Sequence, residues 1–149
     1  MYVGTQIEPR DDSDCEVWAQ LGVTHVCVDP PGSADEWNLD ALRRHKDHIE
    51  SFDLSLDMVQ LPISSGPLEA ADKPHVLIAD GPEWQREVDS LCRLIERIGA
   101  AGIPAAKYNL SVLGVPRTAP EVGRGGSRNK AFRWSQAEPT RRRHRPWPD

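Results

Sequence analysis

The feature that most narrows what this chain can fold into is an alternation: short apolar or β-branched runs are separated by helical segments, and each run ends in polar residues. "YVGTQ" (2–6) reads as a strand with Val3 inward and Gln6 at its end. "DDSDCEVWAQLG" offers Asp11, Asp12 or Ser13 as N-cap, acids in the first turn, an apolar set at Val17, Trp18 and Leu21, and Gly22 as C-cap, which is the pattern of a helix. "VTHVCVDPPG" is a β-branched run that Pro30 and Pro31 stop at Asp29. "NLDALRRHKDHIESF" is helical, capped by Asn38, with Leu39, Leu42, His45 or Lys46, and Ile49 at helical spacing. "LSLDMVQLP" alternates Leu54, Leu56 and Met58 against Ser55 and Asp57 and closes on Gln60. A long loop (63–81) follows. "PEWQREVDSLCRLIERIGAAG" then starts with Pro82 at the first helical position, places Trp84, Val88, Leu91, Leu94 or Ile95, and Ile98 on one face, and closes at Gly99 or Gly102. The fourth strand lies in "IPAAKYNLSVLGVPRT" (103–118), which passes through Lys107, Tyr108 and Asn109 into a loop carrying Arg117.

The order β-α-β-α-β-α-β implies right-handed crossovers and a parallel sheet in an α/β fold. Ligands in such sheets meet the carboxyl ends of the strands. Gln6, Asp29, Gln60, Tyr108 and Asn109 all fall there and are the candidate binding residues. Two architectures are open, a doubly wound sheet and a (β/α) barrel; a doubly wound sheet usually shows a glycine-rich turn after its first strand, and "GTQIEPRDD" carries neither G-x-G-x-x-G nor a P-loop. The helix-to-strand loops end in "LGV", "FDL" and "AGI", a cadence that suits a (β/α) barrel. A whole barrel takes on the order of 250 residues and eight strands. About four strands and three helices, with an irregular C-terminal tail, are expected here.

Composition sets the remaining bounds. With 149 residues, 38% of them hydrophobic, the chain can bury one ordinary core. No run approaches the roughly 18 apolar residues of a membrane span, and "MYVGTQIEPRDD" lacks the basic and apolar regions of a secretory signal, so a cytoplasmic protein with no membrane partner is expected. Cys15, Cys27 and Cys92 match neither a disulfide framework nor a zinc site; Cys27 and Cys92 are expected inside and Cys15 near a helix surface. Charge is uneven. From Arg124 onward there are eight Lys/Arg against two Asp/Glu, and before it ten against twenty-one.

The strand-end segments carry a resemblance. "GTQ", "VDPPG", "LDMVQLPISS", "AGIPAAKYNLSVLGVPRT" and "GRGGSRNKAFRW" together resemble the N-terminal half of the mannonate dehydratases, within the xylose-isomerase-like TIM-barrel group, over roughly residues 1–134. The most specific part is Tyr108 with Asn109, followed by Arg117 with Thr118. The resemblance implies a partial TIM barrel at 1–134, a basic, proline-rich tail at 135–149, and a hydro-lyase chemistry that takes D-mannonate to 2-keto-3-deoxygluconate. It implies a divalent metal, Mn2+ or Mg2+, whose His, Cys and Asp ligands come from later strands than this chain holds. Tyr108, Asn109, Gln6 and Asp29 are then expected to meet hydroxyls of a sugar acid or related small carbohydrate, and Arg117 its carboxylate. The chain is expected to be truncated and inactive alone, pairing as a homodimer or with a complementing C-terminal fragment. A sugar isomerase or epimerase of the same barrel group is the alternative enzyme.

Other residues have plainer readings. His25 reads as a packed or edge histidine, and His45 with His48 in "RRHKDH" as a solvated face rather than a metal pair. Asp57 is placed equally well inward or outward. Glu8 and Arg10 read as loop solvation. "GRGGSR" lacks the lysine and helix of a P-loop and reads as a lid over an acidic substrate or as a disordered stretch. The cluster "RRRHR" has no accompanying fold motif, so a frame interruption near Trp134 or a disordered end is favoured; a non-catalytic module with a nucleic-acid-contacting tail is the alternative of another class, and nucleic acid is not the expected partner.

Overall fold

The computed structural model describes residues 1–63, 68–110 and 115–137, in two compact units, Met1–Leu113 and Gly114–Asp149. The first unit holds a four-stranded parallel sheet: β1 (Gly4–Thr5), β2 (His25–Cys27), β3 (Ser55–Gln60) and β4 (Ala105–Lys107), in the order β1-β2-β3-β4. Sequential strands lie side by side because each crossover is a helix: α1 (Asp12–Gln20), α2 (Leu39–Glu50), and the pair α3 (Pro74–Ile78) and α4 (Pro82–Ala100). Asp11 caps α1 and Asn38 caps α2, each side chain accepting a backbone N–H that the first turn leaves unpaired.

One face of the sheet is the core. Val26, Val28, Leu56 and Val59 are almost completely buried against Leu42 and Ile49 of α2 and Leu94 and Ile98 of α4. The register shifts between Val26 and Cys27, where the partners change from Val26 with Leu56 to Cys27 with Met58, so β3 has one extra residue there. The shift keeps Val59 on the helix side and turns Met58 and Gln60 to the opposite face.

Several expectations are revised. The loop expected at 63–81 contains α3, whose Val76 and Leu77 pack on the core; five residues are too few to register as a helical period. Val3 is exposed: it precedes the short edge strand β1, and its carbonyl accepts from the N–H groups of Thr24 and of His25 in β2. Cys15 is buried and Cys92 exposed, the reverse of the expectation, while Cys27 is buried as expected. His45 is half-buried, its Nε2 3.2 Å from the Val28 carbonyl, so it belongs to the stripe of Leu42 and Ile49 and not to a solvated face.

The second unit contains a two-stranded antiparallel sheet. β5 (Glu121–Val122) and β6 (Arg128–Asn129) form an antiparallel hairpin whose turn is the "GRGGS" segment. Gly125 and Gly126 take φ of 69° and 79°, a region open to glycine at little cost. The glycine-rich stretch is therefore an ordered turn. Residues 111–114 and the basic cluster at 141–145 lie outside the described residues.

Candidate functional site

The helix-free face of the sheet carries the polar residues. Alternation dictates this: with Val26, Val28, Val59 and Ala106 turned to the helices, Cys27, Asp29, Gln60 and Lys107 project the other way. At the carboxyl ends they form two hydrogen-bonded sets side by side on the sheet. Lys107 Nζ donates to Gln6 Oε1 at 2.9 Å, joining β4 to the exit of β1. The Asp29 N–H points at the Glu8 carboxylate, 3.3 and 3.4 Å from its two oxygens. Asp29 Oδ1 accepts the Gln60 N–H at 2.6 Å, so a side chain continues the ladder that the proline pair interrupts. Leu61 N–H donates to the Lys107 carbonyl at 2.8 Å, and Asn109 N–H to the Ile63 carbonyl at 3.0 Å, which carries the parallel pairing past the end of β4.

Gln6 and Asp29 thus come together with Gln60 and Lys107, and Tyr108 and Asn109 follow directly on Lys107, both exposed. Arg117 is exposed and belongs to the second unit. Two members of the array carried little weight in the sequence. Glu8, read there as solvated loop, faces the Asp29 amide. Its carboxyl is pushed up chiefly by burial and also by the Asp29 charge, while the Asp29 N–H and the Lys107 ammonium pull it back. Lys107 was visible only as a polar residue at a strand end. It touches Gln6 and lies close enough to Cys27 to act on its thiol; burial pushes that thiol up and Lys107 opposes the rise. The position of Lys107 in the strand was the available signal, since period two sets it opposite to Ala106, which packs on the core.

A second polar cluster lies toward the amino ends of the strands on the same face. Tyr2 stacks on His25 with ring centroids 3.7 Å apart, and His25 Nε2 lies 3.9 Å from Asp57 Oδ1, too far for a hydrogen bond. The Tyr2 hydroxyl is pushed up by its hydrogen bond to Asp57. Asp57 therefore faces this surface.

Beside the ends of β2 and β3 is a cavity of about 350 Å³, lined among others by Asp29, Ser33, Asp35, Trp37, Gln60 and Lys73. Lys73 Nζ bridges to Asp35 at 3.2 Å and ties the two loops that form its walls. Arg97 donates to the Trp37 carbonyl at 3.0 Å and fixes the inner wall. The volume lies within the roughly 300–1,000 Å³ usual for small-molecule sites. Tyr108 and Asn109 are not among its lining residues.

Among the described residues no three His, Cys, Asp or Glu side chains cluster so as to hold a metal ion. The donors among the described residues do not fit a divalent cation. No helix among the described residues is long and apolar enough to cross a membrane.

No family model matches this chain. No curated protein matches it. Among solved structures, the mannonate dehydratase from Streptococcus suis serotype 2 has a similar fold, with a TM-score of 0.68 and 19% sequence identity over 95% of this chain and 40% of that chain. At that identity the likeness is one of fold, and it places the four-stranded sheet within a partial (β/α) barrel. The chain spans about 40% of the length of that enzyme.

Proposed function

We propose that the carboxyl-terminal ends of the sheet bind a sugar acid of the D-mannonate type and contribute the substrate contacts of a dehydratase related to the mannonate dehydratases. The observation that carries this reading is the array Gln6, Glu8, Asp29, Gln60 and Lys107, which spans all four strands at the edge where α/β folds meet their ligands. The likeness in fold to a mannonate dehydratase agrees with it.

The chemistry assigns roles. Dehydration next to a carboxylate requires loss of the proton α to it, and the negative charge that develops needs a cation or hydrogen-bond donors already in place. Lys107 is such a cation, held by Gln6 and standing over Cys27. Asp29, Gln6, Gln60 and Asn109 supply acceptors and amide donors for sugar hydroxyls, and Tyr108 a phenol. The described residues provide contacts but no metal-ligand set, so binding and turnover are separable, and the chain alone binds the acid without dehydrating it.

Calorimetric titration with D-mannonate, D-mannose and D-mannitol tests this. D-mannonate is expected to bind at least about tenfold more tightly than the two uncharged sugars, the usual scale of a charge-assisted hydrogen bond. Lys107→Gln is expected to remove that preference. Equal affinity for D-mannitol and D-mannonate overturns the reading.

A further inference from the structure

The hairpin of the second unit carries a surface that sugar-acid binding does not use. Residues 115–137 hold five cations, Arg117, Arg124, Arg128, Lys130 and Arg133, and one carboxylate, Glu121. The carboxylate is already taken: Glu121 forms an ion pair with Arg133, which also donates through a second nitrogen at 3.0 Å. The pairing of Glu121 with Asn129 and of Val122 with Arg128 fixes which residues share a face. Asn129 therefore lies beside Glu121, whose ion pair draws Arg133 to the same side, and Arg128 lies beside Val122.

The hairpin and the segment after it are basic and apolar at once. Arg128 and Lys130 are exposed; Val122, paired with Arg128, is 76% exposed, Phe132 45% and, at the turn that follows, Trp134 85%. A cationic stripe alone would be a solvated surface. Two aromatic rings left in water beside it are a cost that a folded ribbon has no need to carry, and the combination of phosphate-pairing cations with stackable rings is the pattern of single-strand recognition. The ribbon is also set in shape before any ligand arrives: Thr118 N–H donates to the Ala131 carbonyl at 2.9 Å, Arg133 N–H to Thr118 Oγ1 at 3.1 Å, and Gly123 N–H to the Ser127 carbonyl at 2.7 Å.

We propose that this hairpin and the segment that follows it bind single-stranded nucleic acid, with Arg128 and Lys130 on phosphates and Phe132 and Trp134 stacked on bases. The sequence argued against such a partner because its most basic cluster, at 141–145, accompanies no fold motif; the hairpin is a separate, folded and aromatic surface. The proposal is independent of the sugar-acid reading.

Fluorescence anisotropy of the full chain with a labelled 12-nucleotide oligo(U) tests it, with inorganic polyphosphate and phosphatidylserine vesicles as competitors. Binding is expected to weaken with salt, and Arg128→Gln with Lys130→Gln to lower the log–log salt slope by about 1.4, two phosphates' worth for a single strand. Trp134→Ala is expected to weaken binding about tenfold, and Trp134→Phe to restore most of it. The aromatic variant separates this surface from the basic cluster, which pairs with phosphates whether or not a ring is present. Unchanged affinity in Trp134→Ala overturns the proposal. So does competition by polyphosphate equal to that of unlabelled oligo(U) at the same phosphate concentration, or capture by the vesicles without binding of oligo(U).

Discussion

Lys107 and Gln6, 101 positions apart in sequence, meet through a 2.9 Å hydrogen bond across two intervening strands. Edge strands of a flat four-stranded sheet would stand roughly 14 Å apart, and side chains rising perpendicular to it would not converge. They meet because the sheet curls toward its helix-free face. The same curl brings Lys107 onto Cys27, so the ammonium and the buried thiol are neighbours.

The contact with Cys27 can be read chemically. Lys107 favours the thiolate of Cys27 against a burial effect that disfavours it, so Lys107→Met should push the Cys27 pKa further up. The measurement is the pH dependence of Cys27 alkylation in a Cys92→Ser background, since Cys92 is exposed and would otherwise dominate the signal. The midpoint should move to higher pH; a midpoint that stays in place or falls would mean that Lys107 does not act on the thiol.

Glu8 gives a pH effect of definite sign. Its folded-state pKa is raised, so the folded chain holds that proton more tightly than the unfolded one; the stabilisation is complete below the unfolded value and is lost as pH rises through the folded value. At neutral pH the ionised group is therefore a liability. Glu8→Gln, which still offers an acceptor to the Asp29 N–H, should raise the melting temperature at pH 7 by the equivalent of less than about 1 kcal/mol, because the group is largely solvent-screened. The gap should close near pH 3. A variant less stable than the parent at pH 7 contradicts this account.

How far the sequence displayed these relationships depended on how much chain each one involved. The strand order was legible because every β-branched run is bounded by proline, glycine or a cap, and the punctuation survives whatever packs on top. Helix faces were less so. In α1, Cys15, Trp18 and Ala19 form one helical stripe and Val17 with Leu21 another, and Trp18 lies next to both; the core takes the first, leaving Val17 and Leu21 exposed. Cys92 directly follows buried Leu91, about 100° around the helix, and so turns away from the core. The stripe of Leu42 and Ile49 was legible with His45 or Lys46 as its further member, and both are half-buried. The bonds Lys107–Gln6 and Glu8–Asp29 depend on the curvature of a whole sheet, which no local pattern encodes.

Leu42 is the clearest test of the core. Fully buried on α2, it packs among side chains of the sheet and of the helix layer. Leu42→Ala removes three carbons from a closed site, and the transfer loss and residual cavity together should cost ~2–5 kcal/mol. Urea denaturation followed by far-ultraviolet circular dichroism should show a lower midpoint with little change in slope. Val17→Ala, on the exposed stripe of α1, should shift the midpoint by less than about 0.5 kcal/mol in either direction. If the two variants were equally destabilised, the assignment of the α1 and α2 faces would be wrong.

At the amino end of α1, Arg10 and Asp14 make an acid-sensitive clasp. The guanidinium of Arg10 and its backbone N–H both donate to the Asp14 carboxylate, at 2.6 Å for the closest contact, and hold its pKa down to about 2. A depressed folded-state value means that the contribution is present above the unfolded pKa, near 3.8, and disappears as pH falls through the folded value. Arg10→Gln keeps the backbone donor but removes the charge, so the Asp14 pKa should move back toward its ordinary value, and the loss of this contribution should begin at a higher pH. Carboxyl carbon NMR titration of Asp14 reads the shift directly. Added salt should reproduce part of the effect in the parent chain, since the guanidinium is solvent-exposed. An Asp14 midpoint that is the same in both chains would assign the depression to the backbone N–H alone.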